Sequence, residues 1–396
     1  MNTAFEIAKR MSFQKSKTNT SFIVKLSIAA TSISIAAIIL TFSIVNGFQE
    51  QIAQKVYDFW GDINITPING NILEYSNTLE DSLKKIPGVK IIQPYAIQTA
   101  ILSYELDMEG ILVKGIRKQE IIPFEKENIR KKLVITSQHD IIVSDFIAKK
   151  LNLKLKSQVK LNFLLNGRII ERKFNVAGIY HSGIEDFDQK YVYTDIELLQ
   201  NLNYNKSIIS GYSINVKNKA SSSKNRTVKK IQSICPPNTV ATPIEEDYPQ
   251  IFDWIGVQTV NRNVAVTIML IIAIVNLITC LFILMLERVN TIGTLTAMGA
   301  NHQLIRKVFL YQVSFISWIG IAIGCIVGLG LSLLQQYTGI IQLDEAAYFM
   351  KTLPIKIIPL QILLIILGTA LISYISFLIP TIWIKKISPA KTIRFD

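Results

Sequence analysis

His181, Glu185, Asp186 and Asp188 put one imidazole and three carboxylates into a single short stretch, and these are side chains that can hold a divalent metal. The same residues also read as a polar loop between two strands. With His139 and His302 lying far away, the loop is the reading adopted, and no metal site is expected. Other chemistry is missing from the sequence as well. There is no H-E-x-x-H pair, no G-x-S-x-G turn and no cysteine and histidine arrangement. A G-x-x-x-x-G-K-[ST] loop is also lacking, so no nucleotide is hydrolysed through a P-loop. The three cysteines are Cys235, Cys280 and Cys325, with no zinc spacing and no two within one soluble segment, and Cys280 and Cys325 read as small packing residues. The chain is expected to be non-catalytic and to bind no cofactor.

Docking is the chemistry the sequence does suggest. Glu287 to Asn301 reads ERVNTIGTLTAMGAN, with Ile292, Leu295 and Met298 at helical spacing, Gly293 and Gly299 bracketing the turn, and neutral threonines on the polar side. The stretch is a small surface helix with an apolar stripe, which either docks on a partner or lies in lipid headgroups. It is held between two runs free of charged residues, Val264 to Leu286 and Val308 to Leu334, each long enough to cross a hydrocarbon layer of roughly 30 Å. Two further runs, Leu26 to Val45 and Ile357 to Trp383, make four spans. Lysines and arginines cluster in the first 25 residues, around the docking loop and in the tail, so these segments and both termini are expected in the cytoplasm.

The resulting division is a cytoplasmic segment at 1–25, spans at 26–45, 264–286, 308–334 and 357–383, and an extracytoplasmic domain with stalk helices at 46–263. The docking loop occupies 287–307, an outer loop 335–356 and a cytoplasmic tail 384–396. The fold class is thus an integral membrane α-helical protein with four transmembrane helices and a large α+β domain between the first two. No Asp, Glu, Lys, Arg or His lies inside the last three spans, which speaks against an ion or proton pathway. The glycines of the third span, Gly320, Gly324 and Gly328, allow close helix packing.

Phe48, Ile52, Val56 and Phe59 continue the first span at helical spacing until Gly61 stops it, and Ile251, Phe252, Ile255 and Val257 lead back as a second stalk. Strands are expected at Ile63 to Thr66, Lys90 to Glu105, Ile111 to Gly115, Val159 to Leu165, Arg168 to Ala177 and Tyr212 to Val216. Asn166-Gly167 marks a hairpin. Helices are expected at Thr78 to Lys85, Asp145 to Leu151, Asp195 to Leu202 and Ser222 to Ile234. The polar stretch near Glu120 to Gln138 divides the domain into two plausible substructures. At the N-terminus, Phe5, Ile7, Ala8 and Met11 suggest an amphipathic surface helix. The formal net charge is +13. It resides in the cytoplasmic flanks and in lysines interleaved with acids, which fits anionic headgroups and argues against nucleic acid.

Taken in order, these segments resemble the FtsX-like permeases of ABC transporters, nearest to the lipoprotein-releasing LolC and LolE type. The stretch ERVNTIGTLTAMGAN is similar to the coupling helix that docks on the ATPase, with Glu287, Ile292, Gly293, Leu295, Met298, Gly299 and Ala300 on the family pattern. SIVNGF, with Ser43, Asn46, Gly47 and Phe48, is similar to a run at the end of the first span, on the side where lipid and substrate are expected. DIIVSDFIAKKLNLKLKSQVKL, FNVAGIYHSGIEDFDQKYVYTDIELLQ and IPTIWIKKISPAKTIRF match by order and spacing. The resemblance implies a MacB/LolC-like periplasmic domain, a second permease protomer, identical or not, and a LolD-like cytoplasmic ATPase that carries ATP and Mg. It further implies a lipoprotein substrate taken from the outer leaflet of a bacterial inner membrane. Tyr204, Asn205, Lys206 and Ile208 stand where a hook recruits a periplasmic carrier. Two alternatives stay open: an FtsX-like signalling module that activates a cell-wall hydrolase, and MacB-like efflux of amphiphilic compounds or peptides.

Overall fold

Gly61 ends the first helix because it can adopt φ +83°, a left-handed conformation that other residues avoid, and its N–H closes on the Tyr57 carbonyl at 2.7 Å. In a computed structural model of the chain this helix, α1, runs Thr20–Trp60. The structure describes residues 20–68, 73–118, 135–165, 167–202, 207–287, 293–294, 298–344, 348 and 350–381. The expected N-terminal surface helix, the polar stretch at 119–134, Asn166 and the tail after 381 lie outside them. Two units form, one of Met1–Gln49, Trp254–Gln342 and Thr352–Asp396, the other of Glu50–Asp253 and Leu343–Lys351.

After α1 the inserted domain continues with β1 (Ile63–Pro67), β2 (Leu73–Glu74), α2 (Asn77–Lys84), β3 (Val89–Tyr104), β4 (Asp107–Ile116) and β5 (Asp140–Ser144). Then come α3 (Asp145–Lys150), β6 (Gln158–Leu165), β7 (Arg168–Tyr180), α4 (Glu185–Lys190), β8 (Tyr191–Asp195) and α5 (Ile196–Leu202). The last elements are β9 (Ile208–Ile209), β10 (Gly211–Val216), α6 (Ser221–Gln232), β11 (Thr239–Pro243) and α7 (Ile244–Asp247). The helical unit is completed by α8 (Pro249–Glu287), α9 (His302–Thr338) and α10 (Pro359–Thr381).

One long strand organises the inserted domain. The first half of β3 pairs with β10, which pairs with β1 and through it with β11, while its second half pairs with β4 on one side and β6 on the other. From β4 the pairing runs through β8, β5 and β7 back to β6, so six strands close on themselves and leave no free edge there. Alternation decides what lies inside: Ala100, Leu102, Ile111, Val113, Val159, Leu161 and Phe163 are all buried. Two sub-sheets thus exist, but they are not separated at the polar stretch as expected. Strands from before and after it are mixed in each, because β3 is long enough to belong to both. The β6–β7 hairpin pairs Leu165 with Arg168 across the expected Asn-Gly turn, with Gly167 at φ +74°. The short strands β5, β8 and β11 had no alternating pattern to reveal them, and β5 and β8 are buried almost throughout.

In the helical unit, α1, α8 and α9 contain stretches long and apolar enough to cross a membrane: Val24–Trp60, Pro249–Leu286 and Gln303–Thr338. Where the fourth span was expected the structure has α10, Pro359–Thr381; among the described residues three helices are long and apolar enough to cross a membrane where four were expected. Pro359, which cannot donate a backbone bond, stands at the first position of α10, where its missing N–H costs least. The glycines of α9 face α1. A Cβ on Gly320 would lie 2.9 Å from Thr31 Cβ, one on Gly324 2.7 Å from the Ser32 carbonyl oxygen, and one on Gly328 3.0 Å from Ala36 Cα. Ser32 Oγ adds a bond to the Gly320 carbonyl at 3.1 Å. Cys280 is buried among Leu277, Leu281, Phe309 and Val313, a packing residue as read from the sequence.

Candidate functional site

The SIVNGF run lies where three helices and the outer loop meet. Asn46 Nδ2 donates to Gln361 Oε1 of α10 at 2.5 Å, and Asn46 Oδ1 accepts from Arg262 Nη1 of α8 at 3.1 Å. The Ser43 carbonyl takes the Lys356 N–H at 2.9 Å, and Ser43 itself is buried. A Cβ on Gly47 would strike the Pro354 carbonyl, 2.6 Å from its carbon, so the loop backbone rests directly on this glycine. Phe48 is half-buried, and the next residue, Gln49, donates to Thr259 Oγ1 of α8 at 2.6 Å. Ser43 and Asn46 are therefore engaged inside the helical unit, where they join its helices.

Of the docking stretch, Ile292 and Leu295 lie outside the described residues, and Glu287 is the last residue of α8. Gly293 is buried. Met298 is 84% exposed, its N–H bonded to the Thr294 carbonyl at 3.0 Å. Gly299 then turns the chain with φ +88°, Ala300 packs against the cluster of Leu281, Ile305 and Phe309, and Asn301 caps α9 through a bond from the Gln303 N–H at 3.3 Å. An unbranched apolar side chain is left exposed beside the turn at Gly299.

Tyr204, Asn205 and Lys206 of the hook region lie outside the described residues; Ile208 is in β9, paired with Glu74 of β2. Below that pair, Tyr75 donates its N–H to the Ser207 carbonyl at 2.6 Å, and its hydroxyl joins a network around buried Glu80. Arg117 grips both Glu80 oxygens, at 3.1 and 2.5 Å, and Lys84 adds an ion pair at 2.9 Å. Arg117 first, and then Lys84, hold the carboxyl down at about 2 in spite of its burial.

The acidic and histidine stretch is reorganised by folding. His181 Nδ1 lies 2.9 Å from Asp145 Oδ1 and 3.6 Å from Asp188 Oδ2. Asp145 comes from the start of α3, distant in sequence, while Glu185 and Asp186 turn away to Gln189 and Lys190. The three ligand atoms fall within 4.8 Å of one another, close enough for a metal. They are also paired within the protein. Asp188 accepts the Ser182 and Gly183 N–H groups, both at 3.0 Å, and Asp145 takes Lys149 at 3.1 Å. Burial opposes the Asp145 charge, but His181 and Lys149 prevail and keep it near 2, whereas burial moves Asp188 up. The arrangement works as a clasp holding the end of β7 to α3 and α4.

Sequence reading missed Lys114. It is buried, donates to the Phe59 carbonyl at 2.5 Å, and lies under the rings of Phe59 and Trp60 at 4.4 and 4.1 Å, with Tyr95 and Tyr193 beyond. Phe59 stacks on Phe187 at 4.4 Å and Trp60 on Tyr248 at 5.9 Å. A cation thus caps the C-terminal end of α1, where helix carbonyls lack partners. Strand alternation puts Lys114 on the face opposite Ile111 and Val113, so no sequence pattern marked it as buried.

Residues 263–389 match the family model for the FtsX-like permease C-terminal region, and residues 26–234, over half of the chain, match that for the MacB-like periplasmic core domain. The chain belongs to the FtsX-like ABC transporter permease family. The permease is 24% identical over 381 residues to a protein of Buchnera aphidicola subsp. Schizaphis graminum named lipoprotein-releasing system transmembrane protein LolC, covering 94% of this chain and 93% of that one. It is 22% identical to the LolC protein of Neisseria meningitidis serogroup B, with 95% of each chain covered. A protein named LolE from Haemophilus influenzae is 23% identical, with 99% of each covered. The permease therefore combines membrane-type helices with a MacB-like periplasmic core domain, in one order from end to end.

Proposed function

We propose that this permease is the non-catalytic membrane subunit of an ABC transporter that releases lipoproteins from the outer leaflet of the bacterial inner membrane. The observation that carries the reading is likeness along nearly the whole chain to proteins named LolC and LolE, at 20–24% identity. In this reading four spans cross the membrane, with α10 as the fourth, both termini are cytoplasmic and the inserted domain is periplasmic. A LolD-like ATPase binds ATP and Mg and docks at the exposed Met298 corner, and a second protomer, identical or related, completes the membrane part. A periplasmic carrier meets the region around Ile208.

The test is recovery of partners from the tagged chain in mild detergent, with mass spectrometry, for the wild type and for Met298→Arg. The reading expects an ABC-type ATPase and acylated lipoproteins with the wild type, and loss of the ATPase from the variant. An ATPase together with a cell-wall hydrolase and no lipoprotein would turn the assignment to a signalling module. Recovery of no ATPase at all would overturn it.

A further inference from the structure

Arg262 carries a positive charge just before the uncharged run that begins at Val264, and among the described residues its hydrogen-bond and ring partners are neutral. Its Nη1 donates to Asn46 Oδ1 at 3.1 Å, and its guanidinium lies 4.9 Å from the centroid of the Phe42 ring. Nε and Nη2 each reach only the neighbouring Asn263 Oδ1, at 3.3 Å. All three partners are neutral, and among the described residues no ion pair includes Arg262. Asn46 is itself held by Gln361 at 2.5 Å, so the guanidinium plane is oriented from α1, α8 and α10 before any ligand arrives.

A cation at the edge of a hydrocarbon layer is costly unless an anion or water meets it. The Nε and Nη2 edge is the side of a guanidinium that meets two oxygens of one phosphate, and here it has only the long contacts to Asn263. At the end of a membrane run, the anion at hand is the phosphodiester of a phospholipid headgroup. We propose that Arg262, set in place by Asn46 and Phe42, is a binding site for the phosphate of a phospholipid headgroup. The proposal goes beyond export and does not depend on what the transporter carries. It gives Asn46 a second role, since the residue that joins the helices also aims the guanidinium.

The purified full chain in detergent is equilibrated with palmitoyl-oleoyl phosphatidylglycerol, or with the diacylglycerol bearing the same acyl chains. Retained lipids are counted by native mass spectrometry for the wild type, Arg262→Gln and Arg262→Lys. The expected result is one phosphatidylglycerol fewer per chain in Arg262→Gln, partial retention in Arg262→Lys, and equal diacylglycerol in all three. Displacement of the lipid by excess inorganic phosphate would support a phosphate site filled equally by a free anion, and resistance to displacement would support the lipid headgroup as its source. Equal phosphatidylglycerol counts in the wild type and Arg262→Gln would overturn the proposal. Should Arg262→Gln fail to fold, a phospholipid with a photoreactive headgroup, crosslinked to the wild type, serves instead. Labelling of peptides bearing Phe42 to Asn46 or Arg262 supports the site, and labelling spread evenly over the helices overturns it.

Discussion

The ammonium of Lys114 lies 4.1 Å from the centroid of the Trp60 ring and donates to the carbonyl of Phe59 in the last turn of α1. Replacement by methionine keeps the apolar stem but leaves that carbonyl without its charged donor and empties the aromatic cage. Lys114→Met is expected to cost about 3 kcal/mol, from a charge-assisted bond and a desolvated cation–π contact. Urea unfolding in detergent, followed by tryptophan fluorescence, would measure it. A loss under about 0.5 kcal/mol would mean that the aromatic packing alone holds the helix end.

Glu80 gives stability a particular pH dependence. Its carboxyl is held at about 2 in the fold against an ordinary value of 4.5, mainly by Arg117. A folded value below the unfolded one means that the ionised group stabilises the fold fully above about 4.5, and that this contribution fades as pH falls from there through about 2. Its size is at most about 3 kcal/mol. Glu80→Gln should be less stable than the wild type at neutral pH, and the gap should close in acid. Parallel unfolding midpoints from neutral pH down to about 2 would disprove the assignment.

Gly324 and Gly330 lie in the same helix with opposite surroundings. An added Cβ at 324 meets the backbone oxygen of Ser32 at 2.7 Å, whereas one at 330 meets nothing within 4 Å. Gly324→Ala should push α1 and α9 apart and lower stability by about 1–3 kcal/mol. Gly330→Ala should be neutral or gain up to about 1 kcal/mol from helix propensity. Thermal scanning of both variants in one detergent compares them, and equal midpoints would show that α1 yields freely at this crossing.

Gly47 bears on the outer loop. A methyl group there would press into the Pro354 carbonyl, a backbone obstacle that cannot rotate away. Gly47→Ala is expected to loosen residues around Pro354 and to cost about 1–3 kcal/mol. Limited proteolysis should then cut this loop sooner than in the wild type, and an unchanged digestion rate would count against the contact.

Several parts of the fold were open to a reader of the sequence because their causes are local. The first helix ends at Gly61, where only glycine takes the left-handed turn easily, and the β6–β7 hairpin turns between Leu165 and Arg168 with Gly167 left-handed. Long, period-two strands such as β3 and β7 announced themselves by alternation. The buried runs β5 and β8 did not, since a short apolar segment without alternation fits a strand or a helix equally well. For α10 the apolar run was plain, but a proline fixed where the helix begins.

Sites divided along the same line. The order of apolar runs and the SIVNGF and coupling stretches were sufficient for the family, because hydropathy and short motifs are properties of neighbouring residues. Which residues meet was decided only by the tertiary structure. Asp145 joins His181 from a different strand end, Lys114 reaches Phe59 across 55 positions of chain, and Arg262 finds Asn46 across 216. Such pairs depend on the closure of a sheet or the crossing of helices, where the free energy comes from burying surfaces remote in sequence. No window of neighbouring residues carries that information.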